Sequence, residues 1–294
     1  MKHAYLILAH QQPEMLKPLL SMLDDPRNDL YLHIDPCAGR FTESDFAGMV
    51  LSSNLSLVKS KRIIWADYSM VQAEMRLFKA AANAKNAPYA YYHLLSGQDL
   101  PLKPQYEIHQ YFSDHQGNEF VHFTTLEAGE KKEGRMRYWW PLQQWIGRKS
   151  NQFAKIQTRF IDYQQRRGWD RFKGTGIELR TGAQWVSLSH DFVQYLLAHK
   201  KWIRDHCRLS FCPDESFIQT LIYNSPFRMK LYRPLFDDGY ASIVRRIDWK
   251  RGGPYVWRMD DYEELTTCPE MFARKFDPDV DQVIISAIAE FVRG

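Results

Sequence analysis

Two short apolar runs lie near the start of the chain, AYLILAH at Ala4–His10 and LYLHID at Leu30–Asp35. An apolar run of this length that ends at a polar residue is typical of a strand buried on both faces. Between the two runs, a helical repeat of leucine and methionine begins at Gln12-Pro13-Glu14 and ends at Asp25-Pro26. The order strand, helix, strand predicts a βαβ unit, and hence a parallel sheet that binds ligands at the carboxyl ends of its strands.

Further patterns extend this α/β prediction along the chain. Buried strands are predicted at Tyr91–Leu95, Phe120–Phe123 and Gln184–Leu188. Helices with an apolar stripe are predicted at Ser69–Ala82, at Phe192–His199, from Pro213 onwards and at Val283–Phe291. Residues 124–182 are charged and aromatic and follow no clear period, so we expect solvated helix mixed with a binding flap there.

The charge balance is mild. The chain has 39 Lys and Arg residues against 35 Asp and Glu residues, a net charge of +4, and we expect the charges to be spread through the sequence. Nucleic-acid binding proteins concentrate positive charge, so this class is not predicted. The small excess suits an anionic small ligand or a weak attraction to anionic lipid.

The sequence predicts a cytoplasmic protein without a membrane span. No uncharged run approaches the roughly 18 residues that a membrane helix requires, and no signal peptide is evident. The cysteines form neither a zinc pattern nor a disulfide framework. They are Cys37, Cys207, Cys212 and Cys268.

Aromatic residues are frequent, at 14% of the chain with nine tryptophans. Large rings fill protein cores. They also serve as platforms for the apolar face of a sugar ring. Composition leaves both alternatives open.

Seven segments, in order along nearly the whole chain, carry a family resemblance. They are Ala4–His10 with Leu32–Asp35, Trp65–Ser69, Leu94–Leu102, Gly182–Asp191, Pro213–Thr220 and Phe272–Asp281. Together they resemble the core-2/I-branching β-1,6-N-acetylglucosaminyltransferase family, which also contains peptide O-xylosyltransferases and bacterial members. The resemblance implies an α/β, GT-A-like glycosyltransferase fold, with a Rossmann-like nucleotide-binding half and a mixed central sheet. We expect one catalytic domain over 1–294, with its nucleotide-binding half at 1–123 and its acceptor-binding and catalytic half at 124–294.

The resemblance also implies catalysis without the metal-binding Asp-x-Asp motif of many GT-A enzymes. The strand-end turn Gly97-Gln98-Asp99 has a single acid. Asp277-Pro278-Asp279 has the letters of the motif, but it lies in a late linker, where a turn or helix-cap pair is the favoured alternative to metal ligands. We therefore expect neither a metal nor another cofactor beside the UDP-sugar donor.

The family's catalytic base is a Glu in a Pro-Asp-Glu segment at a helix start, and the matching residue is Glu215. A carboxylate within hydrogen-bond reach of the acceptor hydroxyl is sufficient to remove its proton. The alternative is that Glu215 only stabilises the helix N-terminus, where the dipole favours ionised acids. We assign the neighbouring Asp214 to capping.

Donor residues also follow from the resemblance. The residues that match the family's pyrophosphate contacts are Arg258 and Lys275, with surface charge as the alternative. For the uridine, the resemblance points to Asp35 and Trp65. Asp35 could instead form a strand-end turn, and Trp65 could pack in the core.

The acceptor side rests on weaker matches. Glu127, Lys132 and Arg135 lie where the family has a flexible charged loop that reaches the acceptor, and a solvated loop is the equal alternative. Trp185 and Trp249 are candidate sugar platforms, or core residues. His10 and His33 are expected to be packed, hydrogen-bonded residues, because no acid–base partner is identifiable by spacing.

The resemblance implies an inverting, metal-independent transfer of N-acetylglucosamine from UDP to a saccharide hydroxyl, forming a β-linked branch in a surface glycan. Transfer of xylose or another hexose, and a non-catalytic saccharide-binding module, are the alternatives. The chain lacks the cysteine framework of animal members and a membrane anchor, which suggests a bacterial cytoplasmic enzyme. Its expected partners are the UDP-sugar and a saccharide or glycolipid acceptor, with at most weak peripheral membrane contact and no nucleic acid.

Overall fold

The computed structural model describes residues 1–10, 13–46, 48–148 and 152–293. Its strands are β1 (His3–Ala9), β2 (Asn28–Ile34), β3 (Asn54–Leu57), β4 (Tyr91–Ser96), β5 (Asp99–Pro101), β6 (Ser187–Ser189), β7 (Arg245–Ile247) and β8 (Phe272–Arg274). Its helices are α1 (Leu16–Leu23), α2 (Ser69–Ala82), α3 (Gln105–Asp114), α4 (Leu126–Arg137), α5 (Gln143–Ile146), α6 (Gln152–Arg166), α7 (His190–Ala198), α8 (Lys200–Cys207), α9 (Phe217–Tyr223), α10 (Tyr262–Thr267) and α11 (Gln282–Arg293).

The main sheet has the order β3-β2-β1-β4-β6. Its first four strands are parallel, and β6 pairs antiparallel with β4. Every residue of β1 and β2 is buried, which explains why both appear in the sequence as continuous apolar runs. The predicted βαβ unit and the mixed central sheet are confirmed.

Helices cover both faces of this sheet. On one face the core contains apolar residues of α1 and α11, and on the other it contains apolar residues of α2 and α7. In each helix these residues recur at helical spacing, so a single stripe faces the sheet.

A buried arginine joins the main sheet to a smaller sheet of order β5-β8-β7. Arg245, in β7, donates from Nη2 to the carbonyl oxygens of Leu94 at 2.9 Å and Val186 at 3.2 Å. Its Nη1 donates to the carbonyl of Ile243 at 2.9 Å. Burial lowers the pKa of Arg245 to about 10, and the nearby Asp99 carboxylate opposes this shift.

The prediction of a strand at Phe120–Phe123 is wrong. The backbone forms only isolated bridges, at Glu119 and Phe120. Beyond them, the amide of Ala183 donates to the His122 ring Nδ1 instead of to a backbone carbonyl, so the ladder does not continue.

Several predicted boundaries also move. The helix expected from Pro213 begins with a 3-10 turn, Pro213–Glu215, and α9 starts only at Phe217. Likewise Pro13–Met15 is a 3-10 turn before α1, and Gln12 lies outside the described residues. The region 124–182 contains three helices, α4, α5 and α6. The division into halves at residue 123 stays a prediction, although β6 of the second half completes the sheet of the first.

All four cysteines carry free thiols, and only Cys37 is exposed. Across the described parts of the chain, no helix has both the length and the apolarity needed to cross a lipid bilayer.

Candidate active site

The carboxyl ends of β1, β2 and β4 lie side by side at one edge of the main sheet, the edge at which parallel sheets bind ligands, and we call the space beside it the cleft. His10 follows β1, Asp35 follows β2, and the turn Ser96–Asp99 follows β4. The end of β8 comes to the same place, because the amide of Phe276 donates to the carbonyl of Gln98 at 2.9 Å. Lys275 is thereby held beside the turn.

His10 is exposed in this cleft, so the prediction that it is a packed residue is wrong. Desolvation in the cleft lowers its pKa, and Arg148 is the next largest cause. Lys275 and Arg274 lower the pKa further, and Asp35 opposes them. Three cations therefore converge on His10. His33, by contrast, is fully buried and accepts the amide hydrogen of Lys61 at 3.0 Å, as predicted.

The Asp35 carboxylate is buried and engaged with the backbone. One oxygen accepts from the amide of Cys37 at 2.7 Å and the other from the amide of Ile63 at 2.6 Å. These bonds tie the turn after β2 to the loop that leads to Trp65. The geometry supports the alternative of a strand-end turn, and the assignment to uridine stays a prediction.

Trp65 lies at the border of the cleft and is 42% exposed, so it is not a core residue. Its ring meets Phe211 edge-on, with centroids 5.6 Å apart. The Arg148 guanidinium lies 5.9 Å from the centroid of the Trp65 ring. The Arg148 charge also lowers the pKa of His10, so the Trp65 ring lies next to the cations near His10.

Only one of the two predicted pyrophosphate residues joins this group. Lys275 is half-buried, and its charge is one of those that lower the pKa of His10. Arg258 is exposed, and its amide donates to an Asp261 carboxylate oxygen at 3.0 Å. The pKa of the nearby Asp281 carboxyl is lowered, mainly because it accepts a hydrogen bond from the amide of Met259. The positive charge of Arg258 lowers the same pKa. Arg258 is thus placed near Asp281, and its phosphate role stays a prediction.

Glu215 is fixed by the backbone on both sides. Its amide donates to the carbonyl of Cys212, which has a left-handed φ of 45°, and its carbonyl accepts from Gly182 at 2.9 Å. A Cβ at position 182 would come within 1.8 Å of the His122 carbonyl oxygen, so only glycine fits this close approach.

The Glu215 side chain pairs with Arg135 of α4. Oε2 accepts from Nη1 of Arg135 at 2.5 Å, and the two side chains are 38% and 26% exposed. The carbonyl of Arg135 accepts the amide hydrogen of Phe211, so α4 is attached directly to the turn that carries Glu215. Within the described chain, no hydrogen-bond donor reaches the second oxygen, Oε1. The site therefore presents an oriented carboxylate with one free oxygen.

The assignment of Asp214 to helix capping is wrong. Because a 3-10 turn precedes α9, the cap position falls on Ser216, and Asp214 points inward and is buried. Burial raises the pKa of Asp214 to about 7, and the Glu215 charge raises it further in the same direction. Behind it, burial and the Asp214 charge raise the pKa of Glu74, which is fully enclosed. The helix dipole therefore does not keep Asp214 ionised.

Tyr240 and Trp249 form the wall of the cleft beside Glu215. Tyr240 stacks on His122 with centroids 4.5 Å apart and an interplanar angle of 2°. Burial raises the pKa of Tyr240 to about 12. The charges of Asp238 and Glu215 raise this pKa further, and a hydrogen bond with Trp249 opposes the shift. Trp249 is 54% exposed, so it is not a core residue, and its role as a sugar platform stays a prediction. Trp185 is 8% exposed, and the Arg274 guanidinium covers its ring at 4.2 Å, which supports the core alternative.

The predicted flexible loop at Glu127, Lys132 and Arg135 is instead the helix α4. Thr125 caps its N-terminus by accepting from Ala128, and Glu127 forms an exposed pair with Lys131 at 2.7 Å. The Lys132 charge partly opposes the rise that burial causes in the pKa of the Cys212 thiol, so Lys132 lies near the turn that carries Glu215. The structure therefore brings Lys132 and Arg135 to the cleft and leaves Glu127 paired in solvent.

Comparison with known proteins identifies the family. A sequence model described as Core-2/I-Branching enzyme matches residues 3–270. The chain belongs to this family. The bovine beta-1,3-galactosyl-O-glycosyl-glycoprotein beta-1,6-N-acetylglucosaminyltransferase is 23% identical, over 99% of this chain and 69% of that protein. Xylosyltransferase sqv-6 of Caenorhabditis briggsae is 22% identical, over 90% of this chain and 33% of that protein.

Family membership confirms the predicted enzyme class, a glycosyltransferase. The mixed central sheet confirms the predicted α/β class. The solved apo structure of mouse xyloside xylosyltransferase 1 has a TM-score of 0.36 and 10% identity, and the match covers 92% of this chain and 96% of that chain. The family match includes Glu215 and Arg135 and ends before Lys275.

The buried Asp214 makes stability depend on pH. Its pKa is 3.8 in the unfolded chain and about 7 in the folded protein. Between these values the unfolded chain releases the proton and the folded protein keeps it, so the free energy of unfolding falls as pH rises, by on the order of 4 kcal/mol in total. Because asparagine does not titrate, the stability of Asp214→Asn relative to wild type should increase from about pH 4 to about pH 7 and then level off.

Chemical denaturation of both proteins across this range measures the difference. Asp162→Asn, at an exposed position on α6, is the matched control and should show no such trend. A constant difference between Asp214→Asn and wild type would contradict the assignment of Asp214 as a buried neutral acid.

Proposed function

We propose that this glycosyltransferase transfers a sugar, most directly N-acetylglucosamine, from UDP to a saccharide hydroxyl with inversion and without a metal, and that Glu215 is the base. One observation carries the proposal: a paired carboxylate and a group of cations share one cleft. Arg274 lies between the two groups, because its charge lowers the pKa of His10 on the donor side and the pKa of Tyr240 on the acceptor side. The Glu215 charge acts on the same Tyr240.

The reaction requires proton removal and nucleophilic attack together. The acceptor oxygen forms a bond to the anomeric carbon while its proton passes to Oε1 of Glu215. The bond from that carbon to the β-phosphate oxygen breaks, and its electron pair leaves with UDP. Attack from the face opposite the leaving group inverts the anomeric centre. Arg135 holds the other oxygen of Glu215 and so orients the carboxylate.

Fixed cations replace the role that a metal has in other GT-A enzymes. The departing diphosphate carries the developing charge, and Lys275, Arg274 and Arg148 surround the place where we expect it. Asp99, the only acid in the strand-end turn, accepts from the amide and the hydroxyl of Ser96 at 2.9 and 2.7 Å, and Arg274 lies 3.5 Å from it. An acid engaged in this way is a poor metal ligand, which supports the proposal.

The late Asp-x-Asp letters do not compete with this proposal. Oδ1 of Asp277 accepts the amide hydrogen of Asp279 at 3.0 Å, a turn that the sequence favours there. Among the described residues, no group of three or more His, Cys, Asp or Glu side chains is arranged to hold a metal ion.

The choice of donor rests on the relatives. The bovine relative is named for N-acetylglucosamine transfer and is matched over more of its length than the xylosyltransferase. We therefore place N-acetylglucosamine first, with xylose or another hexose as the alternative. A branch in a surface glycan, a bacterial source and a cytoplasmic location belong to the same proposal. Release of UDP that depends on Glu215 would distinguish an enzyme from a saccharide-binding module.

Glu215→Gln tests the base. The amide keeps the shape of the carboxylate but cannot take the hydroxyl proton, so we expect transfer to fall by roughly two to four orders of magnitude. UDP affinity should stay near wild type. Stability should change by at most about 1 kcal/mol, because the pair with Arg135 is partly exposed. Transfer rate, UDP affinity and thermal midpoint are measured on one preparation, and near-normal turnover would refute the assignment.

Lys275→Ala tests the donor site. A charge-assisted hydrogen bond contributes about 1.5–3 kcal/mol, so UDP should bind roughly tenfold to a hundredfold more weakly, as measured by calorimetry. Lys275→Arg should restore only part of the affinity, because a planar guanidinium does not replace a compact ammonium. Arg258→Ala, changed in parallel, should also weaken binding if the resemblance assigns it correctly. Wild-type affinity in the double variant would show that both are surface charges.

Chelation tests the metal requirement. If fixed cations stabilise the leaving diphosphate, donor hydrolysis and transfer should keep their rates in EDTA. Complete loss of activity that manganese restores would overturn the cation-only site, and it would direct attention to Asp99.

A further inference from the structure

The positive charge of the protein is concentrated in one segment, in contrast to the even spread expected from composition. Residues 143–173 contain eight Lys or Arg residues and two Asp residues, whereas the rest of the chain contains 31 Lys or Arg and 33 Asp or Glu. This segment includes the helices α5 and α6. The net positive charge of the protein therefore comes from this segment of the sequence.

Helix α6 attaches to the protein through polar side chains. Gln157 accepts the amide hydrogen of Leu142 at 2.8 Å. Gln164 accepts the amide hydrogen of Trp139 at 2.9 Å and donates to the carbonyl of the same residue at 3.0 Å. Both glutamines are buried, together with Ile161. Because this attachment is largely polar, much of the apolar surface of the helix is not used for packing.

That apolar surface forms an exposed stripe. Phe153 is 36% exposed, Ile156 54% and Tyr163 42%, and their spacing places them along one side of α6. A tryptophan extends the stripe at each end. Trp145 lies 6.3 Å from Phe153 and Trp169 lies 5.5 Å from Tyr163, measured between ring centroids.

Exposed cations run beside the stripe. Lys155, Arg159 and Arg166 are separated by helical intervals and lie along the neighbouring side of α6, and Arg167 follows the helix with its guanidinium 5.7 Å from the Tyr163 ring centroid. We call the apolar stripe and these cations the α6 surface. It consists of Trp145, Phe153, Ile156, Tyr163 and Trp169 with Lys155, Arg159, Arg166 and Arg167.

We propose that the α6 surface binds an anionic lipid membrane, with α6 lying in the plane of the interface. An amphipathic helix with aromatic and aliphatic residues on one side and Lys and Arg beside them has the composition of an interfacial helix. Trp and Tyr rings favour the headgroup level, and the cations are attracted to anionic headgroups.

The charge pattern favours a membrane over the other possible occupants. In a symmetric dimer through this surface, the same cations would face each other, and like charges would repel. A nucleic acid would engage the cations through its phosphates, but it would leave an aliphatic side chain such as Ile156 without an apolar partner. An anionic bilayer complements both the charge and the apolar stripe.

The position of the surface connects it to the cleft. The Gln143 side chain, at the start of α5, donates to the carbonyl of Trp65 at 3.0 Å. Arg148, which follows α5, contacts the Trp65 ring and acts on His10. A membrane bound to the α6 surface would thus lie close to the cleft, where an acceptor carried by a lipid could enter. The proposal itself rests on the α6 surface and not on the proposed reaction.

Co-sedimentation of the full chain with vesicles tests the proposal. We expect binding to phosphatidylcholine vesicles that contain phosphatidylglycerol, and little binding to phosphatidylcholine alone. Binding should be strong at about 0.1 M salt, where the Debye length is about 10 Å, and weak at about 1 M, where it is about 3 Å. Equal binding to both vesicles, or no binding, would overturn the proposal.

Matched variants locate the contact. Lys155→Ser with Arg159→Ser should weaken binding about 25-fold, because each cation near an anionic surface contributes about 1 kcal/mol. Ile156→Ser should weaken it about fivefold. The controls are Lys200→Ser with Lys201→Ser on α8, and Met229→Ser, which is 88% exposed in native form. The controls should bind as wild type does, and equal losses in both sets would overturn the assignment of the surface.

Two further readouts exclude the alternatives. Thermal midpoints and UDP release should be unchanged in the surface variants, which shows that they fold and that the cleft is intact. Light scattering should give a monomer, and a duplex DNA probe should be bound more weakly than the anionic vesicles. A dimer that Ile156→Ser dissociates, or tighter binding of the DNA, would refute the membrane as the partner.

Discussion

The buried guanidinium of Arg245 is the interaction on which the cleft depends. It connects β7 to the carbonyls of Leu94 and Val186, and so fixes the small sheet against the main one. A buried cation needs a counter-charge, and the Asp99 carboxylate opposes the lowering of the Arg245 pKa by burial. Because Asp99 stands in the turn after β4, the need to neutralise Arg245 also fixes the strand end at which the donor is expected to bind.

The same carboxylate explains why Arg274 is held where it is. Desolvation lowers the pKa of Arg274 and the Asp99 charge opposes this shift, while Trp185 covers one face of the guanidinium. The single Asp99 carboxylate lies near two arginines, Arg245 and Arg274. Because one negative charge cannot balance two positive charges, the local charge is positive. A diphosphate leaving group would complete this balance. In the proposed reaction these cations would stabilise the diphosphate, and they are held by core packing and not by a local motif.

What the sequence could predict follows from the range of the interactions. The apolar runs of β1 and β2 and the Pro-Asp-Glu segment are local signals, and each led to a correct element or to a residue in the cleft. Arg148 and Tyr240 reach the cleft from separate loops, and no local spacing marks them. The strand predicted at Phe120–Phe123 failed for a similar reason, since a side chain of the segment itself, His122, takes the amide that would have continued the ladder.

Glu215 is one of three neighbouring acids whose surroundings differ. Glu74, Asp214 and Glu215 lie close enough for their charges to interact, and like charges at short range cannot all be ionised. Burial favours the neutral forms of Glu74 and Asp214, whereas Glu215 is partly exposed and faces Arg135. Of the three carboxylates, Glu215 is the one that an acceptor can reach. In the proposed reaction, the tendency of Asp214 to stay protonated would leave Glu215 as the carboxylate available to take the acceptor proton.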